Sequence, residues 1–148
     1  MLDLVWLVPI FPLAGFLILF TTIGKLPQPI AAAVGAGSVG LAAVVAFSAG
    51  YVFLADGMSP LTVTLYTWMN VGDFSPGLSF YVDGLTLIMM FVITGVGFLI
   101  HVYSTTNRAV FIDDEHHSRF FAYMNLFVCA MLLLVTGDNL LLLYMGWE

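Results

Sequence analysis

Apolar and polar positions in this chain separate on the scale of whole segments rather than of single helical turns. Residues 4–23 form one uncharged apolar run, residues 30–54 a second and residues 84–103 a third. Each has about the 20 residues an α-helix needs to cross a hydrocarbon layer of about 30 Å. A fourth run, residues 120–147, would make a helix of about 40 Å if unbroken, too long for one comfortable span. Thr136-Gly137-Asp138-Asn139 interrupts it with turn chemistry. The pattern therefore predicts helices over about 4–24, 30–54, 84–103, 120–136 and 139–148. That is an all-α membrane bundle of four full transmembrane helices and the start of a fifth.

The beginning does not read as a cleaved secretory signal. Its first charge is the acid Asp3 instead of a basic cluster, and the apolar run behind it is long. A retained first helix is expected, with Pro9 and Pro12 early in it, where a missing N–H is tolerated or the helix entry kinks.

Between the second and third runs the period changes. Leu61, Val63 and Leu65 alternate with Thr62, Thr64 and Tyr66, and Leu78, Phe80 and Val82 alternate with Ser79 and Tyr81. Period two with β-branched and aromatic residues predicts two strands, joined through the turn-rich residues 70–77. A short β-hairpin over about 61–82 is expected, lying on the membrane surface and packed on a neighbouring subunit.

Composition sharpens this. Of 148 residues, 61% are hydrophobic and 8% charged, with a formal charge of −6 and three basic side chains. Soluble domains run near 25% charged. A disordered chain, a nucleic-acid binder and a disulfide scaffold are excluded, and the single Cys129 allows no intrachain bridge. Lys25 follows the first helix, and Arg108 and Arg119 lie between the third and fourth. Helix parity puts all three on one side, which the positive-inside rule makes cytoplasmic. The N-terminus, the hairpin and the Gly137-Asp138 turn are then expected on the outer face.

Several motifs invite chemistry. Gly35-Ala36-Gly37-Ser38-Val39-Gly40 has the GxGxxG spacing of a dinucleotide loop, but it lies inside an apolar helix with no strand before it. Ala32, Ala36 and Gly40 recur every four residues, the spacing that lets another helix approach closely in lipid. Asp113-Asp114-Glu115-His116-His117 offers metal-ligand types in one contiguous run, whereas metal sites draw ligands from spaced positions. It reads as a solvated loop. Asp83 and Asp138 fall at helix starts and are expected to cap free N–H groups. His101, near the end of the third run, reads either as an interfacial polar residue or as part of a proton path.

Glu148 carries the functional argument. Nine residues into the fifth helix places it about 14 Å along the axis, close to mid-membrane. An acid there costs roughly 2.5–3.5 kcal/mol on insertion scales, so it must face protein or water. Taken out of water, an acid is driven toward its neutral form unless a cation pairs with it. A carboxyl so poised can hold and pass a proton; the alternative is a structural ion pair between helices. A chain ending here would set a terminal carboxylate beside that side chain, which predicts the N-terminal part of a longer protein or one half of a split module.

Three strings carry a resemblance. Tyr66-Thr67-Trp68-Met69-Asn70-Val71-Gly72-Asp73-Phe74, YVDGLTLIMMFVITGVGFLIHVYS from Tyr81 and RFFAYMNLFVCAMLLLVTGDNLLLLYMGWE from Arg119 resemble the subunit L/chain 5 family of NADH:quinone oxidoreductase, respiratory complex I. The resemblance covers essentially the whole chain, with residues 105–118 departing from the usual pattern. It implies an antiporter-like membrane subunit at the distal end of the membrane arm, in the plasma membrane of a bacterium. Its function would be to couple NADH oxidation and quinone reduction to proton pumping. It implies a non-redox subunit of that enzyme without cofactors of its own, the flavin (FMN), iron–sulfur clusters and quinone belonging to other subunits. Its partners would be the other membrane-arm subunits and the lipid bilayer, with protons as the transported species. The resemblance also implies that Glu148, in the GWE motif, is a key proton-translocating residue working with lysines on later helices. Related readings are a subunit of a multi-subunit sodium/proton antiporter or membrane-bound hydrogenase, or a purely structural membrane subunit.

Overall fold

The computed structural model describes residues 4–67, 77–106 and 117–148. In chain order the elements are α1 (Leu7–Thr21), α2 (Gln28–Ala55), β1 (Leu61–Thr67), β2 (Gly77–Val82), α3 (Gly84–Thr106), α4 (His117–Thr136) and α5 (Leu140–Trp147). Among the described residues three helices, α2, α3 and α4, are long and apolar enough to cross a membrane.

The first helix is shorter than its apolar run suggests. It covers 15 residues with Pro12 inside, about 22 Å at 1.5 Å per residue, below the hydrocarbon thickness. Its end is set by local bonds that outcompete continuation. Thr21 Oγ1 donates to the Leu17 carbonyl at 2.8 Å, Thr22 N–H to Ile18 at 3.2 Å, and Gly24 takes a left-handed φ of 72°. The second helix starts on Pro27, extended at φ −63°, ψ 147°. It stops at Gly57, φ 75°, where Met58 N–H reaches back to Phe53 O at 3.0 Å, a Schellman-type ending.

α2 is the central helix, packed against α1, α3 and α4. Lipid supplies no hydrophobic force between helices, so association relies on close packing at small residues. Here that packing takes the form of aromatic rings seated on glycines. A Cβ at Gly35 would lie 2.7 Å from Phe121 Cδ1 and one at Gly40 2.9 Å from Phe98 Cε2, and one at Gly50 would collide with Phe91. Gly35 and Gly40 of the GxGxxG string thus serve helix contact, while a Cβ at Gly37 would meet open space. One buried cluster joins Val5, Val39, Ala42, Met90, Val128 and Leu132. A second, of Leu19, Ala31, Ala32, Phe121 and Ala122, closes the end where Lys25 and Arg119 lie. Polar glue runs through the middle: the fully buried Asn125 donates from Nδ2 to Gly35 O at 3.2 Å and Phe121 O at 2.9 Å, and accepts from Ser38 Oγ.

The hairpin forms as the alternation predicts, β1 antiparallel to β2 with Leu61 opposite Val82 and Val63 opposite Phe80. A bulge between Thr64 and Tyr66 breaks the parity, which leaves Leu65 exposed. Within the chain, the turn after α4 adds to β2 through a Phe80–Gly137 bridge. Asp138 N–H donates to Ser79 O at 3.1 Å, and Asn139 Nδ2 to Gly77 O at 2.7 Å. The hairpin and the α4–α5 turn therefore share one end of the bundle. Residues 70–76 of the joining segment lie outside the described residues, as do Arg108 and residues 113–116.

The expected caps divide. Asp83 caps α3, its Oδ1 accepting from Thr86 N–H at 2.7 Å and its carbonyl from Leu87 N–H at 3.0 Å. At α5 the cap is Asn139, whose Oδ1 accepts from Leu142 N–H at 3.0 Å. Asp138, read as a cap, instead accepts from Ser79 Oγ at 3.0 Å, because the β2 contact turns it toward the hairpin.

The Asp83 cap has a measurable consequence. Thr86 N–H and hydroxyl hydrogen bonds hold its carboxyl below the usual carboxylate range, so its stabilisation is present above the unfolded-state value and lost as pH falls through the folded one. Asp83→Ala should lower stability in detergent by about 1 kcal/mol at neutral pH and by less in acid, while Asp83→Asn retains most of the cap. Thermal unfolding at the two pH values checks this.

Candidate functional site

α5 starts at its Asn139 cap and folds back along α4, placing its last turn, Tyr144 to Glu148, beside the middle of a membrane-length helix. The approach is set at Gly146. A Cβ there would fall 2.7 Å from Leu134 N and 2.8 Å from Ala130 O, so backbone meets backbone with no room for a side chain. α5 runs antiparallel to α4, and Glu148, two residues beyond Gly146, therefore lies roughly level with Ala130. That is within about one helical turn, or 5.4 Å, of the α4 midpoint.

The carboxyl opens into a groove of about 470 Å³ lined by Tyr123, Leu126, Phe127, Ala130, Met131 and Leu134 of α4 together with Gly146 and Trp147. Apart from Tyr123 at its far end, the α4 wall is apolar. Glu148 is exposed in this segment, and its side chain accepts a hydrogen bond from Tyr144 Oη at 3.0 Å. The groove thus sets one acid, bonded by a neighbouring phenol, against a largely apolar α4 wall that also carries Tyr123, with the Trp147 indole on the α5 side.

His101 lies elsewhere. It is 1% exposed in α3, its Nδ1 bonded to Gly97 O at 2.7 Å and its Nε2 buried with no hydrogen-bond partner among the described residues. Its ring lies 5.8 Å from that of Phe121. Phe121 is nine residues before Ala130 on α4, about 14 Å along the axis, so the fold does not bring His101 and Glu148 together. The α3–α4 packing encloses His101 within the bundle.

Two features escaped the sequence reading. His117, assigned there to a solvated loop, is buried in the first turn of α4 with its ring 4.9 Å from Phe121, because helix packing extends further toward the N-terminus than the charge run implied. Tyr144 carries a signal that was available, its i,i+4 spacing from Glu148. Among the described residues no group of three or more His, Cys, Asp or Glu gathers as a metal site.

A bundle of membrane-length helices with an acid opening at mid-helix depth defines a multi-pass membrane protein with a candidate proton-handling site. Residues 68–121 match the family model described as NADH-ubiquinone oxidoreductase (complex I), chain 5 N-terminus. The chain is 47% identical to the NADH-quinone oxidoreductase subunit L of Escherichia coli (strain K12), over 99% of this chain and 24% of that protein. The Pseudomonas aeruginosa subunit L is 44% identical, again over 99% and 24%. The NADH-ubiquinone oxidoreductase chain 5 of Allomyces macrogynus is 39% identical over 66% of this chain and 15% of its own. This chain belongs to the subunit L/chain 5 family of NADH-quinone oxidoreductase, and it spans about a quarter of the length of the curated bacterial relatives quoted.

The close approach is directly testable. Gly146→Ala forces α5 off α4, since both contacted atoms are backbone, and should destabilise the protein by about 1–3 kcal/mol. An unchanged unfolding midpoint in detergent would mean that α5 does not pack on α4 in this way.

Proposed function

We propose that this chain forms part of a proton-translocating membrane subunit of NADH:quinone oxidoreductase, with Glu148 as a proton carrier. The observation that carries the reading is the position of that carboxyl in an apolar groove within a turn of the α4 midpoint. Family membership supports it, and the relatives' names favour the respiratory enzyme over an antiporter or hydrogenase assembly. On this reading α1 also crosses the membrane with help from its flanking residues, and Lys25 and Arg119 face the cytoplasm. The N-terminus and the hairpin lie on the outer face of a bacterial plasma membrane. Other membrane-arm subunits cover the exposed apolar helix faces, and flavin, iron–sulfur and quinone chemistry resides in other subunits.

Mechanistically, a carboxyl at this depth changes its proton affinity when a nearby cation arrives or leaves. A lysine from the rest of the subunit, pairing with Glu148 and separating from it, would discharge and reload the proton. Redox events elsewhere in the complex would drive that exchange. His101 is too far to exchange protons with Glu148 directly. Its unpartnered Nε2 makes it a second protonatable position toward the Lys25 end.

Glu148→Gln in the assembled complex should sharply lower NADH-driven proton pumping in proteoliposomes while assembly survives; full pumping by a correctly assembled variant would sink the reading. His101→Asn keeps a donor for Gly97 O, as Asn125 does for Phe121 O, but removes the titratable ring. A partial loss of pumping is expected, and unchanged pumping would assign His101 to packing alone.

A further inference from the structure

The geometry points to Tyr144 as a second residue of the proton site, a phenol that donates to the Glu148 carboxyl and orients it. The inference rests on the reading of Glu148 as a proton carrier. Tyr144 lies one turn before Glu148 on the same face of α5, and Oη–Oε1 is 3.0 Å. Their contact is held in place from outside the pair. Asn139 caps the helix start, and Gly146, between the two residues in sequence, seats the turn on the α4 backbone. The rotamers of Tyr144 and Glu148 are therefore presented by a helix whose depth and rotation are already set.

The lining of the groove explains why the bond matters. Tyr123 and Trp147 are the side-chain donors in the groove lining, yet the hydrogen bond that the carboxyl accepts comes from Tyr144, and a carboxylate in hydrocarbon without a donor is strongly disfavoured. A neutral phenol supplies a charge-assisted hydrogen bond without adding a fixed positive charge, so the acid stays able to take up and release a proton. A lysine at the same position would hold the carboxylate ionised.

Tyr144→Phe removes one oxygen and keeps the ring. With the donor gone the Glu148 carboxyl loses that hydrogen bond and its orientation, and the pH profile of NADH-driven pumping by the reconstituted complex should depart from wild type. Assembly should stay at the wild-type level. Glu148→Gln and the double variant should share one flat profile, because the phenol acts only through the acid. A Tyr144→Phe profile identical to wild type, alongside a flattened Glu148→Gln profile, would overturn this inference and leave the proton-carrier reading standing. A wild-type profile in Glu148→Gln would overturn both.

Infrared difference spectra of the unmodified complex give a second readout that needs no Tyr144 variant. The carbonyl band of protonated Glu148, identified by its loss in Glu148→Gln, is expected at the frequency of a hydrogen-bonded acid. A band at the free-acid frequency would overturn the assignment of Tyr144.

Discussion

Helices in hydrocarbon gain nothing by hiding apolar surface from a solvent that is equally apolar, so a bundle there is held by how closely its backbones and rings approach. In this chain that requirement falls on α2, whose glycines and alanines leave hollows filled by Phe121, Phe98 and Phe91 from α4 and α3. Asn125 adds polar bonds at the same junction, tying α4 to the Gly35 carbonyl and to Ser38. The position of α4 then determines everything downstream, because α5 is seated on α4 and the hairpin is bonded to the turn between them.

The same principle reappears at the site in a tighter form. Gly146 brings the α5 backbone against Ala130 and Leu134, and that contact carries the nearby acid to about mid-height on an exposed face of α4. A structural device and the proposed proton carrier thus occupy one turn. The GWE string therefore reads physically as a seat, an aromatic wall and a carboxyl. The opposite end of the bundle is built differently, with two imidazoles flanking Phe121 beside the basic residues Lys25 and Arg119. Phe121 and Ala130, the level of Glu148, are about 14 Å apart along α4 by helical rise.

Much of the architecture was legible in the chain. Segment-length apolar runs need no partner to be recognised, and the alternation over residues 61–66 announced a strand because side chains there take opposite faces in turn. What escaped has a common cause. The length of α1 depended on local competition from threonine hydroxyls and Gly24 at its end. The bulge that exposes Leu65 and the turn of Asp138 toward Ser79 depended on what lay opposite each residue. His117 sat beside a run of acids and read as solvated, yet the first turn of α4 buries it.

The sequence by itself determined the class of the molecule: a membrane bundle with a hairpin insert and an acid inside its final apolar run. These follow from composition and period, which act on each residue independently of its neighbours in space. Only the tertiary structure decided that the glycines of α2 receive phenylalanine rings, that Asn125 rather than a charged residue bonds the bundle together, and that Glu148 opens on a groove with Tyr144 as its donor. Those outcomes turn on distances between segments far apart in the chain. In a solvent without water, a difference of one methyl group or one hydrogen bond settles which segments meet.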